Sequence, residues 1–275
     1  MSERTELESL GEFGLIERLT PEHTRQIKNS STILSIGDDA ACLEYKDKVV
    51  LVSTDIMTEG VHFDMVYTPL KHLGYKACVV NFSDIYAMNA RPKQITISLA
   101  VSNRYSVEAL EELYAGIYLA CEKYGVDVVG GDTTSSTAGM FLSITVIGEA
   151  EKEKIVRRNG AKPYDLLCVT GDLGAAYAGL LVLQREKAAF MVNPNSQPQL
   201  KDYEYEVGRQ LKPEAQKKII DFFEQEGILP TSMIDISDGL ASEALHICTQ
   251  SEVGCEIYLE KLPIDYRASK TFEEF

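Results

Sequence analysis

The sequence predicts an α+β protein in two parts: residues 1–150 on a mixed sheet with strands in pairs, and residues 151–275 as a layered α/β sandwich. Three observations predict it. Short β-rich apolar runs crowd the first half, where two longer stretches of helical period interrupt them. A charged stretch without a core pattern, Glu151–Arg158, marks a boundary. Beyond it, strand-like and helix-like segments alternate, as they do in layered α/β units.

In chain order, Leu10, Phe13, Ile16 and Leu19 recur at helical spacing until Pro21 stops the pattern. Ile33–Ile36, Ala40–Tyr45 and Val49–Ser53 read as short strands. Thr68–Asn89 reads as a helix with Leu70, Leu73, Ala77 and Val80 on one face, and Pro69 suits its first turn. Gln94–Val101 alternates as a strand, Ser106–Tyr124 is a helix with Ser106 as cap, and Val126–Val129 and Met140–Ile147 are further strands. In the second part the expected order is strand Leu166–Thr170, helix Leu173–Gln184 and loop Val192–Gln199. Helix Glu214–Glu226, strand Met233–Ile236, a helix from Asp238 and strand Cys255–Leu259 complete it.

Composition narrows the function. Of 275 residues, 42 are acidic and 27 basic, a formal charge of −15. So negative a surface repels nucleic acid and anionic lipid and suits a protein that gathers divalent cations. Met1–Leu10 lacks the apolar run of a signal peptide, and no stretch approaches the ~18 apolar residues of a membrane span. A soluble cytoplasmic protein is expected. The six cysteines are scattered without a CxxC pair and read as buried free thiols, and the four histidines do not cluster with them as a zinc site requires.

The chemistry sits in aspartates at the ends of apolar runs. Asp38 and Asp39 follow Ile33–Gly37, Asp55 closes a strand, Asp84 interrupts an apolar helix, Asp132 follows Gly130-Gly131, and Asp235 and Asp238 flank a strand-to-helix turn. Any one of them is explained as a cap or turn former. Seven together are not, because carboxylates beside core strands are costly unless paired or metal-bound, and strand ends of layered sheets are where ligands bind. Hard carboxylate oxygens are what Mg²⁺ takes.

The runs Gly130–Thr134 and Gly171–Gly174 read as glycine turns, able to bring backbone N–H groups to a phosphate or to serve as plain punctuation. No P-loop, dinucleotide or protein-kinase motif is present, so any phosphoryl transfer would have to lean on metals rather than on a Walker lysine. His62 is either a substrate contact or a surface histidine. Arg157 and Arg158 either meet phosphate or lie solvated in a linker. Tyr114 is either core or an adenine platform. Cys42 reads as a buried thiol, and nothing supports a Ser–His–Asp or Cys–His nucleophile.

Taken together, several strings resemble the thiamine-monophosphate kinase family in their order over nearly the whole chain. They are Gly37-Asp38-Asp39-Ala40-Ala41, Ser53-Thr54-Asp55, Val61-His62-Phe63, Asn81-Phe82-Ser83-Asp84, Gly130-Gly131-Asp132-Thr133-Thr134, Arg158-Asn159-Gly160-Ala161-Lys162 and Ile236-Ser237-Asp238-Gly239. The resemblance implies the two-domain fold shared with aminoimidazole ribonucleotide synthetase and selenophosphate synthetase. It also implies a homodimer whose N-terminal sheets pair into a barrel, with ATP in a cleft near the interface.

Carried over by position, Asp38, Ser53, Thr54, Asp55, Asp84, Asp132, Asp235 and Asp238 would hold several Mg²⁺ ions. Tyr114, Gly131, Asp132, Arg158 and Ser237 would contact ATP, His62 would contact thiamine phosphate, and Asp55, Asp132 and Asp238 would be catalytic. The implied reaction is direct transfer of the γ-phosphoryl of ATP to thiamine phosphate. Two departures stand out. The chain carries neither the family's Gly-Gly-Glu-Asp-Tyr-Glu-Leu string nor its final aromatic contact, so an incomplete C-terminal sheet is expected, and Tyr164 stands where glycine is common. A synthetase of the same superfamily and a non-catalytic nucleotide-binding relative remain alternatives. Residues 1–32 lack the cysteine that a selenophosphate synthetase would want.

Overall fold

The computed structural model describes residues 30–35 and 37–275. The helix expected around Leu10–Leu19 lies outside the described residues. Six strands form one sheet: β1 (Thr32–Leu34), β2 (Ala41–Tyr45), β3 (Lys48–Thr58), β4 (Arg91–Val101), β5 (Asp127–Ser135) and β6 (Phe141–Glu151). Their order across the sheet is β1-β2-β3-β6-β4-β5. Every neighbouring pair is antiparallel except β4–β5. The sheet is therefore mixed, as predicted.

Two helices, α1 (Leu70–Ala87) and α2 (Val107–Tyr124), cover one face. Strand alternation supplies that face with Val49 and Leu51 of β3, Ile95, Ile97 and Leu99 of β4, and Leu142, Ile144 and Val146 of β6, all buried with Leu73, Phe82, Leu113 and Ile117 of the helices. Ser106 caps α2 as expected, its hydroxyl accepting the Ala109 N–H. The opposite face is open, with Thr54 and Ser98 exposed and Ile56 56% exposed.

The helices meet across a pair of glycines. A Cβ on Gly74 would lie 2.0 Å from the Leu113 carbonyl oxygen, and one on Gly116 would lie 1.9 Å from that of Lys71. Only glycine at both crossing points allows this approach.

The second part docks onto this layer through helix α5 (Lys217–Glu226) and the segment before it. Ile220 is buried in the same core. The Glu214 carboxylate accepts from the Tyr75 and Tyr124 hydroxyls at 2.8 and 2.7 Å and pairs with Lys123. Arg91 pairs with Asp221 and Glu224. The remaining helices are α3 (Ala175–Val192), α4 (Glu204–Leu211), α6 (Leu240–Ser251) and α7 (Tyr266–Phe272). Among the described residues, no helix is long and apolar enough to cross a membrane.

Three expectations need correction. First, no strand forms after Glu151 among the described residues, so the layered α/β sandwich is not seen. Leu166–Thr170, Met233–Ile236 and most of Cys255–Leu259 run without regular structure, and Leu166 is 89% exposed. A strand exists only by pairing, and apolar composition alone cannot supply a partner. Second, Gly130–Thr134 is no turn. It continues β5 in parallel register with Thr96–Ala100, and a Cβ on Gly131 would meet the Ile97 carbonyl oxygen at 2.0 Å. Third, only Cys42, Cys78 and Cys121 are buried; Cys168 and Cys255 are exposed, and all six are free. The Gly171–Gly174 segment does turn into α3, and Tyr164 holds φ at 75°, the region that favours the glycine common there in the family.

Gly74→Ala and Gly116→Ala are expected to force the two helices apart and destabilise the fold by about 1–3 kcal/mol each. Chemical denaturation of the two variants against wild type measures this.

Candidate active site

Alternation along β3 builds the site. Val49, Leu51, Ser53, Asp55 and Met57 share the helix-covered face, so the chain that supplies core also delivers a hydroxyl and a carboxylate to its far end. There α1 presents Asn81 and Asp84 one turn apart. The Ser53 hydroxyl donates to Asp84 Oδ2 at 2.7 Å, and the Asp55 N–H donates to Asn81 Oδ1 at 3.1 Å.

The loop before β2 brings Asp38 and Asp39, and the loop before α6 brings Asp235. Carboxylate oxygens of Asp39, Asp84 and Asp235 lie within 4.8 Å of one another. Asp39 belongs to the aspartate series of the sequence but not to the expected ligand set, and it is the member that the structure adds. Its side chain is only 2% exposed.

Arg158 is the cation of the cluster. Its Nε and one terminal nitrogen grip the two Asp39 oxygens at 3.0 and 2.7 Å, and its backbone N–H donates to Asp38 Oδ2 at 3.3 Å. The Arg158 carbonyl is held in turn by the Ser232 and Ser251 hydroxyls at 2.6 and 2.9 Å. Gln250 reaches the Gly37 carbonyl at 2.9 Å. At the other end of α6, the buried Glu243 carboxylate accepts the N–H groups of Asp238 and Gly239 at 3.2 and 2.9 Å. One helix thus fastens the loops carrying Asp38, Asp39, Arg158 and Asp238.

Like charges in a buried site resist ionisation. Burial, then the charges of Asp55 and Asp235, push the Asp84 carboxyl up to about 9 against the pull of the Ser53 hydroxyl. Burial and Asp39 raise Asp235 to about 6, opposed by a hydrogen bond from Ser83 and by Arg158. Burial also raises Asp38 to about 6. An all-oxygen, all-carboxylate donor set that cannot hold its own charges fits a hard divalent cation.

The other expected residues lie further out. Thr54 faces away from the cluster, its hydroxyl within reach of the Ile144 carbonyl at 3.1 Å and the Thr145 hydroxyl at 3.0 Å. Ser237 and Asp238 are exposed beside Asp235. His62 is exposed in the turn after β3, its Nδ1 accepting the Thr58 N–H at 2.9 Å. Tyr114, Gly131 and Asp132 line a separate hollow of about 360 Å³. Asp132 stands in register with Ser98, Ser98 with Ser143, and Ser143 with Ile56, the row turned away from the helices. Asp55 stands in the neighbouring row, with buried Ile144 and Ile97. The two aspartates are three strand spacings apart, about 14 Å across the sheet, and are not brought together.

The raised carboxyls set a pH dependence. Between the ordinary value near 4 and about 9, native Asp84 holds a proton that the unfolded chain has lost. Stability without metal therefore falls as pH rises through that window. Thermal unfolding in chelator is expected at a lower midpoint at pH 8.5 than at pH 5.5, and MgCl₂ is expected to narrow the difference. Midpoints equal at the two pH values would contradict the cluster's electrostatics.

Known proteins share this arrangement of chain. Residues 37–150 match the family described as AIR synthase related protein, N-terminal domain. The thiamine-monophosphate kinase of Bacillus subtilis (strain 168) is 37% identical over 259 residues, spanning 93% of this chain and 75% of the relative. That of Aquifex aeolicus (strain VF5) is 36% identical over 270 residues, spanning 98% and 80%. A solved structure described as "AaThiL complexed with AMPPCP and TMP" superimposes with a TM-score of 0.83 at 34% identity, covering 100% of this chain and 81% of that one. The hydrogenase maturation protein HypE shares the fold alone, with a TM-score of 0.66 at 21% identity over 91% of this chain and 72% of its own. The chain belongs to the thiamine-monophosphate kinase family of enzymes.

Proposed function

We propose that the protein transfers the γ-phosphoryl group of ATP directly to the phosphate of thiamine phosphate, giving thiamine diphosphate and ADP, in the cytoplasm. The observation that carries this reading is the cluster of Asp39, Asp84 and Asp235 on a chain 37% identical to a thiamine-monophosphate kinase. The complex of the related "AaThiL" with AMPPCP and TMP supports the choice of substrates.

The acceptor is itself a phosphate, so the reaction needs no strong base. It needs two mutually repelling anions held in line. Asp38, Asp39, Asp55, Asp84 and Asp235 would hold several Mg²⁺ ions, with Ser53 and Ser237–Asp238 at their margin. Mg²⁺ held by these residues would supply positive charge that screens the repulsion between donor and acceptor phosphates. Arg158, fixed by its hydrogen bonds to Asp39, would meet ATP together with Tyr114, Gly131 and Ser237. His62 accepts at Nδ1, which leaves Nε2 free to donate to thiamine phosphate. Residues 1–150 would form the nucleotide-binding and dimerising unit and residues 151–275 the unit that closes over it.

Asp132 shapes the quaternary part of the proposal. It lies on edge strand β5, in a row facing away from Asp55. A homodimer joined through its sheets, as in a barrel, would let Asp132 of one protomer complete the carboxylate site of the other.

Asp55→Asn and Asp132→Asn are each expected to lower kcat by about 100-fold or more with unfolding midpoints at or above wild type. Subunit exchange between the two inactive variants is expected to restore about a quarter of wild-type turnover, since half the dimers then carry one intact site. No recovery would place Asp132 in its own protomer's site. His62→Ala is expected to raise KM for thiamine phosphate about 10-fold, the weight of one charged hydrogen bond, while KM for ATP stays unchanged. Steady-state assays with each substrate varied separate the two constants, and absence of thiamine diphosphate formation by the wild type would overturn the assignment.

A further inference from the structure

The sheet loses a strand where the site begins. β2 accompanies β3 only as far as the Ala41–Val52 pair, while β6 follows the other edge of β3 to Thr58. Beyond Val52, one edge of β3 has no β2 partner, and its inward backbone groups need other acceptors. At Asp55 that acceptor is a side chain. Asn81 Oδ1 takes the Asp55 N–H at 3.1 Å, and Asn81 Nδ2 donates to the Ala77 carbonyl one turn back at 2.9 Å. The amide is thus engaged at both ends and only 1% exposed. It sits three residues before Asp84 on α1, on the same stretch of helix face.

We propose that Asn81 is a positioning residue, which stands in for the missing strand and sets the distance between Asp55 and Asp84. It reaches no reacting group itself. The helix whose next turn carries Asp84 also clamps the backbone of Asp55, so the two carboxylates keep one spacing whether or not a cation is bound. Asp55 stays paired with Ile144 of β6 on its other side, so losing the clamp loosens only the edge that faces α1, where the charges of Asp55 and Asp84 repel. This inference rests on the cation site proposed above.

The test is Mn²⁺ binding to the full chain, followed by electron paramagnetic resonance without nucleotide, alongside thermal unfolding. Asn81→Leu keeps the volume and removes the acceptor. It is expected to weaken Mn²⁺ binding about 10-fold or more, the usual cost of losing an outer-shell partner. Asn81→Asp keeps an acceptor for the Asp55 N–H and adds a negative charge but loses the donor to the Ala77 carbonyl, so it is expected to lose stability yet bind Mn²⁺ at least as well as wild type. A merely structural asparagine would lose stability and affinity together in both variants. Folded Asn81→Leu with wild-type Mn²⁺ affinity, or equal losses of affinity in both variants, would overturn the inference. If Asn81→Leu does not fold, Asn81→Ser, too short to reach Asp55, takes its place with the same expectation. A wild type that binds Mn²⁺ beside an unaffected Asn81→Leu sinks this inference alone. A wild type that binds none sinks the cation site, and this inference with it.

Discussion

Carboxylate oxygens of Asp39, Asp84 and Asp235, from three separate segments, crowd within 4.8 Å of one another beside Arg158, and the surrounding hydrogen bonds are arranged around that repulsion. Asp39 is satisfied by the guanidinium fork, Asp84 by a serine hydroxyl and a retained proton, and Asp235 by Ser83. None of these partners fully offsets taking several carboxylates out of water. The folded chain therefore carries an electrostatic cost that a bound divalent cation would relieve, which would link binding and folding through the same oxygens.

The sheet converts this constraint into architecture. A single strand, β3, serves as core at Val49 and Leu51 and as site at Ser53 and Asp55, because all four share the face that α1 covers. The change of role falls where β2 ends. The Gly74–Gly116 crossing keeps α1 and α2 close over the sheet, and Ile220 with Glu214 and Arg91 ties the second part of the chain to that layer. The loops bearing Asp235 and Arg158 are thereby held against the first part.

Much of this was legible in the sequence, because strand alternation and helix period are local. The paired strands, the two helices over the sheet, the Ser106 cap and the aspartate series follow from pattern alone. What was not legible depended on partners distant in the chain. Gly130 and Gly131 carry the composition of a turn, yet β4 holds them extended. The apolar segments around Leu166 and Ile234 have the composition of strands and form no ladder among the described residues. In the Asp38–Asp39 doublet both residues are acidic, and only the position of Arg158 reveals that Asp39 is the one gripped in the cluster. Glu243 offered a faint signal, a glutamate in the first turn of the helix after Asp238-Gly239, one position beyond the usual reach-back glutamate. The alternation that groups Ser53 with Asp55 also excludes Thr54 from that face, a distinction the motif order alone does not make.

Helix α6 acts as a strut. Its first turn grips the backbone at Asp238 and Gly239, and its last grips Gly37 and Arg158. The helix is twelve residues long, about 18 Å from end to end. The loops at its two ends cannot drift independently. A rigid rod held at both ends couples the loop of Asp238 and Gly239 to the loops of Gly37 and Arg158, so a substitution that loosens one grip is felt at the other.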